Sequence, residues 1–161
     1  MLNDLLQNEK QRLFRFMKRG IDFKSAYKVH YFAVMQEMSP IHNSQLAFDL
    51  LKTKFNGEAE EFWLINLNSH LIATSTILIA KGTLNYCPIH PRDLFREALR
   101  ANSFAIIIAH NHPSLDPQPT NEDIRLTKKL CRISTLIEIP ILDHIIFTDT
   151  NYFSFKQKDL I

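Results

Sequence analysis

The run Phe104-Ala105-Ile106-Ile107-Ile108-Ala109 is unbroken apolar sequence, and it leads directly into His110-Asn111-His112-Pro113. A short, continuous apolar stretch of this kind predicts a buried strand. Two imidazoles at the end of such a strand, ahead of the Pro-rich loop 113–119, stand where α/β proteins place chemistry, on loops carried by a rigid scaffold. His110 and His112 are two positions apart, so in extended chain both side chains point to one face. That is the geometry needed to grip one metal ion. Taken alone, the pair reads more readily as surface or capping histidines.

Thr120 and Asp123 follow after seven intervening residues. Two imidazoles and one carboxylate are three of the four ligands that a catalytic zinc ion takes, with the fourth position left to water. Thr120-Asn121-Glu122-Asp123 also reads as a capping box, with Thr120 as N-cap and Asp123 reaching back to it. The capping reading accounts for Thr120 and Asp123 but leaves the histidines unexplained, whereas a metal site accounts for all four. A zinc hydrolase further needs a general base, ordinarily a carboxylate. Glu60 and Glu61, opening the apolar segment Phe62–Leu67, are the candidates, and spacing does not choose between them. Acidic residues at the start of a strand are also commonly just solvated.

Around this constellation the pattern alternates between strand and helix. Phe62–Leu67 and Leu71–Ala80 predict two strands joined at Asn68-Ser69-His70 as a hairpin. Pro91, favoured at a first helical position, predicts a helix running to about Asn102. The strand at 104–109, a helix from Thr120 to about Leu136, a strand at Ile141–Phe147 and a last short strand at Tyr152–Phe155 complete an α/β core. Upstream, Leu2–Lys18 carries a helical apolar stripe, and Val29–Met35 reads as a strand. A helix is expected from about Ser44 to Lys54, with Asn43 or Ser44 as N-cap and Gly57 just past its end. The expected division is a helical lead-in over 1–56, containing one strand and packed on the core, and a metal-binding domain over 57–161.

Composition limits the partners. Hydrophobic residues are 45% and charged residues 22%, which excludes a disordered chain, and a net charge of +2 is too small to imply a polyanionic partner. Lys10, Arg12, Arg15, Lys18 and Arg19 are the one basic concentration, and the solvated face of a helix explains them. Direct DNA binding therefore has only faint support. No apolar run approaches the roughly 20 residues of a membrane span, and Met1-Leu2-Asn3-Asp4-Leu5 lacks the order of a signal peptide. Cys87 and Cys131 form no CxxC pair and read as thiols in a reducing compartment. The expectation is a cytoplasmic protein without a membrane partner. His144, behind Asp143 on a strand, reads as structural or as a support behind the ligands. His70 and His90 read as solvated turn residues, and Trp63 as core.

His-x-His-x7-Ser/Thr-x2-Asp with an upstream Glu before a strand resembles the JAMM (MPN+/JAB) metalloprotease motif. Glu60-Glu61-Phe62, Lys81-Gly82-Thr83, His90-Pro91-Arg92-Asp93-Leu94-Phe95-Arg96-Glu97-Ala98-Leu99, His110-Asn111-His112-Pro113-Ser114, Asp116-Pro117 and Leu142-Asp143-His144, in that order, resemble its RadC-like branch. The resemblance covers roughly residues 40–157. It implies a cytidine-deaminase-like three-layer sandwich, a central mixed β-sheet flanked by helices. It also implies zinc on His110, His112 and Asp123, Glu60 as general base, and Thr120 in place of the usual Ser that helps hold the oxyanion. The activity implied is hydrolysis of a peptide or isopeptide bond in a peptide or protein substrate by a metal-activated water.

Three departures go with it: Thr at 120, Leu115 where Gly is common, and Glu61 beside Glu60, which leaves a one-residue register choice for the base. Two alternatives remain, a DNA-repair-associated role and a non-catalytic metal-binding scaffold. The lead-in offers only Gly20 and Gly57, too few for the Gly-rich hairpins of a helix-hairpin-helix DNA module. A nucleoside deaminase would require His-x-Glu and Pro-Cys-x-x-Cys, and neither occurs.

Overall fold

In a computed structural model, residues 39–54, 59–82 and 89–161 are described. The helix expected over Leu2–Lys18, the strand over Val29–Met35, the basic stretch, Gly57 and Cys87 lie outside them. The element order is α1 (Ser44–Leu51), β1 (Glu61–Leu67), β2 (Ala73–Lys81), α2 (Pro91–Arg100), β3 (Ala105–Asn111), α3 (Asn121–Leu136), β4 (Ile141–Phe147) and β5 (Tyr152–Ser154). The compact unit that contains them spans Pro40–Ile161, so α1 belongs to the same unit as the sheet.

The five strands form one sheet in the order β2-β1-β3-β4-β5. β1 and β2 are the expected hairpin, and the Asn68 Oδ1 accepts from the backbone N–H groups of His70 and Ile72 to close its turn. β3 pairs antiparallel with β1 and parallel with β4. The parallel step requires a crossover, and α3 supplies it. The apolar run is thus the middle strand, buried at every position from Ala105 to Asn111. A strand covered on both faces must be apolar throughout, which is why this one shows no alternation.

Side-chain alternation sorts the core into two layers. Ile65, Leu67, Ile107, Ala109, Ile145 and Phe147 pack with Ala47, Phe48 and Leu51 of α1 on one face. Phe62, Leu64, Ile106 and Ile108 pack with Leu94, Phe95 and Ala98 of α2 and Leu130 of α3 on the other. Each fully buried Leu, Ile or Phe contributes roughly 1.5–3 kcal/mol. The result is the α/β sandwich with a mixed central sheet that the resemblance implied.

Local chemistry sets the helix starts. Asn43 caps α1 through Oδ1 to the Leu46 N–H. His90, exposed, caps α2 by accepting from the Arg92 N–H, and Pro91 fills the first turn, where no N–H is needed. Thr120 caps α3, and Asp123 completes a capping box. The buried stripe of α3 is Asp123, Thr127, Leu130 and Ser134, a helical period whose first two members are polar. These two meet the sheet where β3 ends. On β4, successive residues point to opposite faces. Asp143 turns to α1, accepting from Ser44, Ser154 and the Lys156 N–H, while His144 turns to α3.

Candidate metal centre

Three acceptor groups converge at the end of β3. The Nε2 atoms of His110 and His112 lie 3.0 Å apart. Asp123 Oδ1 is 3.2 Å from His110 Nε2, and Oδ2 is 3.6 Å from His112 Nε2. One ligand atom from each residue fits within 4.8 Å of the others. His110 lies in β3, His112 just beyond it and held to β4 by its N–H on the Phe147 carbonyl, and Asp123 in the first turn of α3.

Two imidazole nitrogens 3.0 Å apart repel unless a proton or a cation sits between them. The set has the donor types and count of a zinc site that keeps a position for water. His110 is 1% exposed and its ring stacks on Phe62 at 5.8 Å, so the site has a dry inner wall.

Asp123 serves the cap and the cluster at once. Its Oδ2 accepts from the Thr120 N–H at 2.7 Å and the Thr120 hydroxyl at 2.6 Å, while Oδ1 faces His110. Burial alone would raise its carboxyl. Its contacts with His110 and His112 and the Thr120 hydroxyl instead hold it far below the ordinary carboxylate range, so it is an anion at any working pH. For His112, burial works downward, but hydrogen bonds to Asp123 and to the Asp116 carbonyl raise its pKa.

The two glutamates separate cleanly. Glu61 opens β1 opposite Lys81, which takes its carboxylate at 2.9 Å. Glu60 is half-buried and lies within the fields of His110, His112 and Asp123. Burial pushes its pKa up, the two histidines pull it down, and Asp123 and Glu122 add to the rise. The backbone around Glu60 is fixed by Asn111, whose side chain carries no signal in the spacing of the motif. Its Oδ1 accepts from the Glu61 N–H at 2.8 Å and its Nδ2 donates to the Ala59 carbonyl at 2.9 Å. The Gly82 N–H donates to the Glu60 carbonyl itself.

Behind the cluster stand two further residues. His144 Nε2 contacts His110 Nδ1 at 2.9 Å, and His144 Nδ1 contacts the Thr127 hydroxyl at 2.6 Å. His144 thus stands directly behind His110, while Thr127 was not singled out by any sequence pattern. Leu115, in the loop after His112, sits at φ 65° with its N–H on the His112 carbonyl. The loop therefore keeps a left-handed residue at this position, and Leu carries the strain that Gly would avoid. His70 is exposed, Trp63 packs against the α1-side core, and Cys131 is a free, half-buried thiol. Among the described residues no helix is long and apolar enough to cross a membrane.

The fold and the ligand cluster define a JAB-type α/β domain with a candidate metal site. The RadC-like JAB domain model matches residues 41–160, and the chain belongs to that family. A UPF0758 protein of Staphylococcus epidermidis is 35% identical over 156 residues, covering 97% of this chain and 69% of its own length. UPF0758 proteins of Chlorobium luteolum (35% over 122 residues) and Clostridium novyi (43% over 102 residues) share 75% and 63% of this chain. The chain spans 55% and 45% of the lengths of these last two, about half.

Proposed function

We propose that the chain is a zinc-dependent hydrolase of the RadC/JAMM type that cleaves a peptide or isopeptide bond. The observation that carries this reading is the convergence of His110 Nε2, His112 Nε2 and the Asp123 carboxylate within 4.8 Å, beside a half-buried Glu60. His110, His112 and Asp123 would hold the ion. When bound, zinc polarises a carbonyl oxygen and brings the pKa of its water toward ~7.

The rest falls to this chain's own side chains. Glu60 accepts the proton of the attacking water and returns it to the leaving amine, acting first as base and then as acid. Its raised pKa suits both halves of that cycle. Asn111 and Gly82 fix the backbone on which Glu60 stands. Thr120 spends its hydroxyl hydrogen on Asp123 Oδ2, so in this geometry it orients a ligand. Helping to hold the oxyanion, the role its position implies, requires that hydrogen to turn to the substrate.

A library of peptides and isopeptides, incubated with zinc-loaded protein and with zinc-loaded Glu60→Ala, tests the reading. Cleavage by the first and not the second is expected. Equal turnover by both would remove Glu60 from its role. Zinc binding with no cleavage of any member would favour the scaffold alternative.

A further inference from the structure

The hydrogen bonds behind His110 run in one direction, and that direction determines whether the site can take a metal. A threonine hydroxyl has one hydrogen to give. The Thr127 hydroxyl donates it to the Asp123 carbonyl, 2.6 Å away and one helical turn back. Its contact with His144 Nδ1, also 2.6 Å, must then be made by an oxygen lone pair, so His144 Nδ1 bears a hydrogen and donates. His144 is 0% exposed and enclosed by the rings of Phe155 at 4.8 Å and Phe62 at 5.8 Å, surroundings that favour a neutral ring over a charged one.

A neutral ring protonated at Nδ1 has its lone pair on Nε2. That lone pair accepts from His110 Nδ1 at 2.9 Å, which leaves the lone pair of His110 on Nε2, facing His112 and Asp123. His112 Nδ1 faces the Asp116 carbonyl at 2.8 Å and a carbonyl only accepts, so in the neutral ring that a metal would meet, its lone pair also stands on Nε2. Reversing the Thr127 hydroxyl would reverse every link: His144 would donate from Nε2, and a neutral His110 would point an N–H at the ligand cluster. The Asp123 carbonyl opposes that reversal, and it belongs to the third ligand itself.

We propose that Thr127 and His144 form a tautomer lock that keeps His110 Nε2 free to bind metal. They are positioning residues, acting through His110 and not on substrate. The inference rests on the three-ligand site proposed above, but its test reads the ring nitrogens and metal affinity rather than turnover. The hydroxyl is what counts, so Thr127→Val, nearly isosteric, should weaken zinc binding by about 10–100-fold, while Thr127→Ser should stay within about threefold of wild type.

Chelator-competition titration with zinc reads the affinities. Two-bond 1H–15N correlation spectra of the histidine rings read the tautomers of the intact chain, with and without zinc. The expected spectrum has His144 protonated on Nδ1, and His110 protonated on Nδ1 with no hydrogen on Nε2 when zinc is bound. Thr127→Val binding zinc as tightly as wild type, or Thr127→Ser losing as much affinity as Thr127→Val, would overturn the lock. The spectral arm needs no substitution, so a Thr127→Val chain that fails to fold does not shield the proposal. His144 found protonated on Nε2 refutes it outright. If wild type binds no zinc, the three-ligand reading fails, and the His144 tautomer in metal-free protein still decides the lock separately.

Discussion

Replacing Asn111 by Ala probes the device that positions Glu60. The Asn111 side chain is 1% exposed and joins the backbone on both sides of Glu60, accepting from the Glu61 N–H at 2.8 Å and donating to the Ala59 carbonyl at 2.9 Å. Truncation removes both partners at once and leaves a backbone donor and a backbone acceptor unpaired. A buried polar group stripped of its partner costs about 1–3 kcal/mol, so two set a ceiling near ~6 kcal/mol. Ala59 is only half-buried, and water can reach its carbonyl to recover part of that loss. The expected loss is about 2–4 kcal/mol, or roughly 5–15 °C in Tm for a chain of this size.

Neither bond touches His110, His112 or Asp123, so zinc content should hold while hydrolysis falls, because Glu60 is no longer fixed. A misplacement of about 1 Å at a reacting group can lower a rate by roughly a hundredfold. Urea unfolding of chelated Asn111→Ala against wild type, with zinc stoichiometry measured in parallel, gives both numbers. A stability loss below about 1 kcal/mol would refute the clamp. Loss of zinc would show that Asn111 supports the ligands and not the base.

Leu115→Gly should raise stability slightly, by up to about 1 kcal/mol, since relief of the left-handed strain at φ 65° outweighs the greater freedom of Gly in the unfolded chain; thermal unfolding checks it, and a clear loss of stability would mean the Leu115 side chain contributes packing that outweighs the strain. The hydrolysis rate should fall on the acid side, because Glu60 must be ionised to act as base, and burial of its carboxyl moves that fall upward in pH. A pH profile of kcat/KM, with Glu60→Gln expected to abolish the rate while zinc stays bound, tests that sign.

Much of the site can be read from spacing because its parts obey short periods. A two-residue period places His110 and His112 on one face, and the capping box brings Thr120 to Asp123. The capping and metal readings of Asp123, rivals in the sequence, are compatible in space, since one carboxylate oxygen serves the cap and the other faces His110. The pairing of Glu61 with Lys81, which leaves Glu60 on the side of the histidines, depends on a strand register that no local pattern displays. Thr127 and His144 are hidden for a similar reason. A threonine in mid-helix and a histidine on a strand meet only because β4 runs parallel to β3, with His144 beside Ile108. The strand itself extends to Asn111, beyond the apolar run, because pairing of Phe62 with His110 and of Asn111 with Phe147 carries it on.

The most direct test is the metal content of protein purified without chelator, measured by mass spectrometry for wild type, His112→Ala and Glu60→Ala. About one zinc ion per chain is expected in wild type and in Glu60→Ala, and almost none in His112→Ala, because only the histidine is a ligand. Less than about a tenth of an equivalent in wild type, with none taken up on adding zinc, would contradict the metal centre and the hydrolase built on it.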